Sequence, residues 1–137
     1  MRVLFDTNVV LDVLLNREPW AVDSSAAWQA NDDGQIVGYI TACALTDIFY
    51  IARRLTTLET ARAAVRVCLE AFEICAVGLP ALKLAETLPG SDFEDNLQIA
   101  CAFRVDVDVI LTRDKTGFRD ASMSVMTPAE LLEKVRG

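Results

Sequence analysis

Short apolar, β-branched runs alternate along this chain with longer stretches whose apolar residues recur every three or four positions. A period near two marks strands and a period near 3.6 marks helices, so the alternation predicts a parallel sheet covered on both faces. Strands are expected at Val3–Asp6, Ile36–Ile40, Glu73–Val77, Val107–Thr112 and, more briefly, Ser124–Met126. A short helix should follow Asn8. Others should run from Pro19 to Asn31 before the Asp33-Gly34 stop, from Ala42 to Arg54, and from Pro80 towards Pro89-Gly90. Three helix starts carry capping-box patterns: Thr56-x-x-Glu59, Ser91-x-x-Glu94 and Thr127-Pro128-x-Glu130. The helix opened by Thr56 should turn Leu58, Ala61, Val65, Cys68, Leu69 and Phe72 to one side. The predicted class is α/β, a three-layer α/β/α sandwich with four to five strands in its central sheet. At 137 residues it forms one domain spanning 1–137.

Right-handed crossovers give this architecture a consequence. Loops that leave strands, and helices that begin after them, gather at the carboxyl edge of the sheet, where open α/β folds bind ligands. Several acids fall there. Asp6 closes the first strand, Asp114 lies just beyond the fourth, Asp47 sits in the second turn of the third helix, and Asp92 and Asp95 open the sixth.

Each has an ordinary alternative. Asp6, Thr7 and Asn8 are all good helix caps. Yet an acid ending a buried central strand is poorly solvated and needs a stronger reason than capping. Asp92 and Asp95 suit a helix N-terminus through its dipole, but Asp95 continues into the apolar stripe through Ile99 while Glu94 takes the solvent side as capping partner. Asp47 stacks between Cys43 and Ile51 on an apolar face, an unfavourable place for a lone carboxylate. Asp114 in Thr112-Arg113-Asp114-Lys115 also reads well as a turn. Asp12 points away from the edge and stays outside the cluster. Trp20, Trp28, Phe49 and Tyr50 are possible interface anchors, with core packing the plainer reading.

Composition narrows the chemistry. There is no histidine, which removes Ser-His-Asp and Cys-His catalysis and imidazole bases. What remains is carboxylates, hydroxyls, amides and bound metal, and all-oxygen ligands favour Mg²⁺ or Mn²⁺. A net charge of −7 is a mild point against a nucleic-acid substrate, softened where cations neutralise clustered acids. Cys43, Cys68, Cys75 and Cys101 sit in apolar contexts without a C-x-x-C, as free thiols of a reducing cytosol do. No apolar run approaches the ~18 residues of a membrane helix. Arg113, Lys115 and Arg119 cluster near Asp114 and are candidates to grip phosphates, or simply a solvated loop.

The ordered set D-T-N (Asp6–Asn8), an acid in the third helix, S-D-F-E-D-N-L-Q-I-A-C-A (Ser91–Ala102) and L-T-R-D-K-x-x-F (Leu111–Phe118) resembles the PIN-domain nucleases over the whole chain. The closing T-P-x-E-L-L fits as well. This resemblance implies that Asp6, Asp47, Asp95 and Asp114 are catalytic metal-binding acids for Mg²⁺ or Mn²⁺. Asp92 matches an extra acid, and Asn8 and Thr112 match supporting polar positions. One departure stands out: the helix-three acid is usually Glu, and Asp47 is one methylene shorter. The family further implies an endoribonuclease, many members being bacterial toxins of the VapC type that are homodimers silenced by an antitoxin protein. The alternative is a weak or inactive PIN-like domain acting in RNA or protein interaction. Phosphatases of the haloacid-dehalogenase type need Asp-x-Asp after the first strand, and here the second position is Asn8.

Overall fold

The computed structural model describes residues 1–137. A five-stranded, wholly parallel sheet runs β3-β2-β1-β4-β5. Its strands are β1 (Arg2–Phe5), β2 (Val37–Thr41), β3 (Glu73–Cys75), β4 (Val109–Leu111) and β5 (Ser124–Met126). The helices are α1 (Thr7–Leu14), α2 (Ala21–Asp32), α3 (Ala42–Leu55), α4 (Leu58–Ala71), α5 (Leu79–Thr87), α6 (Phe93–Arg104) and α7 (Pro128–Arg136).

Strand periodicity divides the core in two. Val3 and Phe5 of β1, with Val109 and Leu111 of β4, face the larger core, closed by α1, α2, α3, α4 and α7. Leu4 and Ile110 face the other side, under α5, α6 and Phe118. Each fully buried large side chain contributes about 1.5–3 kcal/mol, and a one-residue register slip would exchange the two faces. Trp28 and Phe72 pack edge-to-face in the larger core at 4.8 Å, so Trp28 is core rather than an interface anchor. Trp20 and Tyr50 remain exposed. No helix is long and apolar enough to cross a membrane.

Three local expectations need correction. Helix α4 is capped by Thr57, whose hydroxyl accepts from the Thr60 amide at 3.1 Å, while Thr56 ends α3 and donates to the Ala52 carbonyl. The buried side of α4 is the small-residue ridge Ala61, Ala64 and Cys68, which lets α4 lie close against α3. Leu58 and Leu69 are consequently left exposed. Asp92, not Ser91, caps α6, its Oδ1 accepting from the Asp95 amide at 3.1 Å. Glu94 is thereby released from capping, with consequences for the site. The third box is as expected: Thr127 and Glu130 cap α7 reciprocally. Gly34, at a φ of 76°, ends α2 where the Asp33-Gly34 stop predicted.

Candidate metal centre

The sheet order reverses at β1. The chain moves from β1 outward to β2 and β3, then returns to place β4 on the other flank of β1. The crevice at the carboxyl ends of β1 and β4 is the switch point, and Asp6 and Thr112 stand on its two lips. The Asp6 amide donates to the Leu111 carbonyl at 2.9 Å, fixing the two lips together.

Asp6 is buried yet makes no capping bond to α1. Its Oδ1 accepts from Gln98 Nε2 at 3.0 Å and its Oδ2 from the Thr112 hydroxyl at 2.9 Å. The Thr112 oxygen in turn accepts from the Asp114 amide at 3.2 Å, which links both acids to one hydroxyl. Beside Asp6 lie two buried polar atoms without partners, Thr7 Oγ1 and Gln98 Oε1.

A cleft of about 340 Å³ opens over Asp6 and is lined by Thr7, Asn8, Asp47, Ile51, Asp92, Glu94 and Asp95. Asp92 and Asp95 also form one wall of an adjoining polar trough of about 490 Å³, whose other wall carries Thr116, Gly117, Arg119 and Asp120. At Gly117 the backbone passes so close that a Cβ would overlap Asp95 Oδ2. Only glycine leaves that carboxylate where it is.

The electrostatics are those of unrelieved negative charge. Partial burial, with the charges of Asp92, Asp6 and Asp114, pushes the Asp95 carboxyl up to about 6. Glu94 is pushed up to about 7 by partial burial, by a shared hydrogen bond with Asp47, and by the charges of Asp47, Asp92 and Asp6. No lysine or arginine forms an ion pair with Asp6, Asp47, Asp92, Glu94 or Asp95. The three ion pairs of the molecule are Arg17–Asp12, Arg113–Asp12 and Lys115–Glu130.

The structure therefore brings together Asp6, Asp47, Asp92 and Asp95, with Asn8 on the rim. It adds Glu94, which sequence reasoning had assigned to capping on the solvent side. Moving the cap from Ser91 to Asp92 turns Glu94 towards Asp47. Gln98 was also missed. Its signal was a lone amide inside the apolar stripe Leu97–Ala102, one turn after Asp95. Asp114 stays at the margin. Its carboxylate is exposed and accepts from the Thr116 amide at 3.0 Å, and the Thr116 hydrogen bonds hold it below the usual carboxylate range.

Two of the three candidate phosphate-binding cations are already engaged. Arg113 lies over the Trp20 ring at 3.8 Å and beside Asp12 at 3.5 Å, while Lys115 pairs with Glu130. Arg119 forms no ion pair and lines the trough.

The donor set is carboxylates, hydroxyls and amides, which suits a hard divalent cation. Clustered acids without counter-charge, and orphaned oxygens beside Asp6, are what such an ion would relieve. No three of the acids converge closely enough to clasp an ion directly, so water would complete the coordination.

Comparison with known proteins identifies the family and the fold. The family profile described as PIN domain matches residues 2–116. The chain belongs to the PIN-domain family. No curated protein matches it in sequence. Among solved structures, VapC20 of Mycobacterium tuberculosis, a sarcin-ricin-loop-cleaving toxin, superposes with a TM-score of 0.70 at 12% identity, covering 86% of this chain and 94% of that one. A chain of the DNA-bound VapBC complex from Salmonella typhimurium gives 0.71 at 15% identity, over 93% and 98% of the two chains. The toxin-antitoxin complex from Klebsiella pneumoniae gives 0.67 at 18%, over 92% and 97%. At such identities the likeness is one of fold.

Proposed function

We propose that this protein is a divalent-metal-dependent endoribonuclease, acting as the toxin of a bacterial toxin-antitoxin pair. The observation that carries the reading is the buried Asp6, fixed by Gln98 and Thr112 and facing Asp47, Asp92, Glu94 and Asp95 with no basic residue among them. Buried carboxylates without counter-ions are costly, and membership of the PIN-domain family supports reading that cost as the place of a nuclease's cation.

Asp6 and Asp95 would hold Mg²⁺ or Mn²⁺, with Asp47, Asp92 and Glu94 lining the same cleft. Asp114 would join them only by giving up the Thr116 amide that its carboxylate accepts from. When bound, such an ion lowers the pKa of a water and stabilises charge on the phosphoryl oxygens. The protein's own work is orientation. Gln98 and Thr112 fix the Asp6 carboxylate, as supporting residues do for metal ligands generally. Arg119 is the cation placed to meet a flanking RNA phosphate along the trough. Four free cysteines suit a reducing cytoplasm. An antitoxin and a second copy of the chain are the partners expected of a VapC-like toxin.

A second reading has one observation in its favour. With Asp114 committed to Thr116 and no three acids converging, the chain could keep the fold for RNA or protein contacts without turnover. The test is cleavage of a structured RNA by the purified protein in Mn²⁺ or Mg²⁺, with EDTA and Asp95→Asn as controls. Cutting that is lost in both controls is the expected result. Ion binding by calorimetry without cutting would favour the second reading, and neither would sink the metal centre.

A further inference from the structure

Beneath the acid cleft lies a second polar cluster that the nuclease reading does not use. Asp12, in the second turn of α1, is fully buried. Burial pushes its carboxyl up, against the pull of Arg113 and Arg17. Arg17 Nε donates to Asp12 Oδ1 at 2.8 Å, and Arg113 Nη1 stands 3.5 Å from the same oxygen. The other end of the Arg17 fork reaches back to the site: Nη2 donates to the Asn8 carbonyl at 3.3 Å and to Asn8 Oδ1 at 3.2 Å.

The last contact decides the chemistry of Asn8. An arginine only donates, so the amide atom facing it must be the oxygen. The NH₂ group is then the free end of the amide. It donates to no protein acceptor, on a residue that lines the cleft. A free amide donor cannot ligate a cation, but it suits an anionic oxygen. We propose that Asp12 and Arg17 are positioning residues that hold the Asn8 amide with its NH₂ presented to a phosphate oxygen of the RNA bound in the cleft. The proposal rests on the ribonuclease reading above. Arginine is needed because one guanidinium spans Asp12 and Asn8 at once, which a lysine ammonium does not. Arg113, stacked on Trp20, closes the far side of Asp12 and carries the same network into the strand end that bears Thr112.

The test compares wild type, Arg17→Lys, Asn8→Ala and the double variant in single-turnover RNA cleavage. Mn²⁺ affinity by calorimetry and the melting temperature are measured in parallel. Arg17→Lys keeps a cation beside Asp12, so melting and Mn²⁺ affinity should stay near wild type while cleavage falls about 10–100-fold. In the Asn8→Ala background the same change should cost almost nothing more, because the group it positions is gone. An equal loss in both backgrounds would make Arg17 merely structural and overturn the proposal. So would Mn²⁺ affinity falling in step with the rate, since Asn8 would then act as a ligand. Wild-type cleavage unaltered by Arg17→Lys removes this inference alone, whereas a wild type that cuts no RNA in Mn²⁺ removes the ribonuclease reading and this inference with it.

Discussion

Helix α1 has one aspartate at its N-cap and another in its second turn, and the protein treats them in opposite ways. Asp12 is fully buried and sits between two arginines, one hydrogen-bonded and one stacked on Trp20. Asp6 is buried almost as deeply and has neutral donors only, Gln98 and Thr112, with further acids across the cleft. Where the chain supplies its own counter-charge, the carboxylate belongs to the scaffold. Where it withholds one, the charge is left for something that arrives from outside. Burial alone does not separate the two roles; the sign of the neighbours does.

The sharpest way to break this contrast is to neutralise each acid in turn. Asp12→Ala removes both the charge and the oxygen that accepts from Arg17, leaves two partly buried arginines without their partner, and should lower the melting temperature. Asp6→Asn should leave melting unchanged or raise it while abolishing metal-dependent cleavage. It removes an unpaired charge, and Gln98 can turn its orphaned Oε1 to accept from the new amide. Equal destabilisation by both changes would erase the distinction.

A smaller effect is expected at Gly117. An added Cβ meets the whole Asp95 carboxylate, Oδ2 and Cγ, but no backbone, so that group must turn aside. Gly117→Ala should therefore lower cleavage about tenfold and weaken Mn²⁺ binding, with little change in melting. Unaltered Mn²⁺ affinity would show that Asp95 need not sit where the structure puts it.

The smallest effect is in pH. Asp95 and Glu94 titrate at about 6 and about 7 in the fold, above their ordinary values of 3.8 and 4.5. Between those limits the metal-free native state holds more protons than the unfolded chain, so its stability falls as pH rises. The metal-free protein should melt higher at pH 5 than at pH 7.5. Saturating Mn²⁺, which binds the deprotonated acids, should flatten or invert that slope. A metal-free slope of the opposite sign would place the cleft's acids in a different environment.

Much of this layout was legible before any coordinates. The five strands stand where the β-branched runs predicted, with ends differing by a residue or two, and β5 spans Ser124–Met126 as expected. The acids of the cleft were also legible, because crossover handedness sends the ends of β1 and β4 and the starts of α3 and α6 to one edge. Caps were less so. Thr56 and Thr57, or Ser91 and Asp92, are adjacent residues of similar capping strength, and the choice depends on how the preceding loop arrives. That one-residue shift decides whether Glu94 faces water or Asp47.

Periodicity and chain direction were enough to set the sheet, its helical cover and the aspartates at its carboxyl edge, and the ordered motifs were enough to suggest the family, whereas Glu94 was misplaced. Which charges are answered and which are not was settled by packing between distant segments. It set Arg17 and Arg113 on Asp12, Lys115 on Glu130, and nothing basic on Asp6. Ion pairing depends on where side chains from distant segments meet, and Arg113 reaches Asp12 across about a hundred residues of chain. No local pattern carries that information.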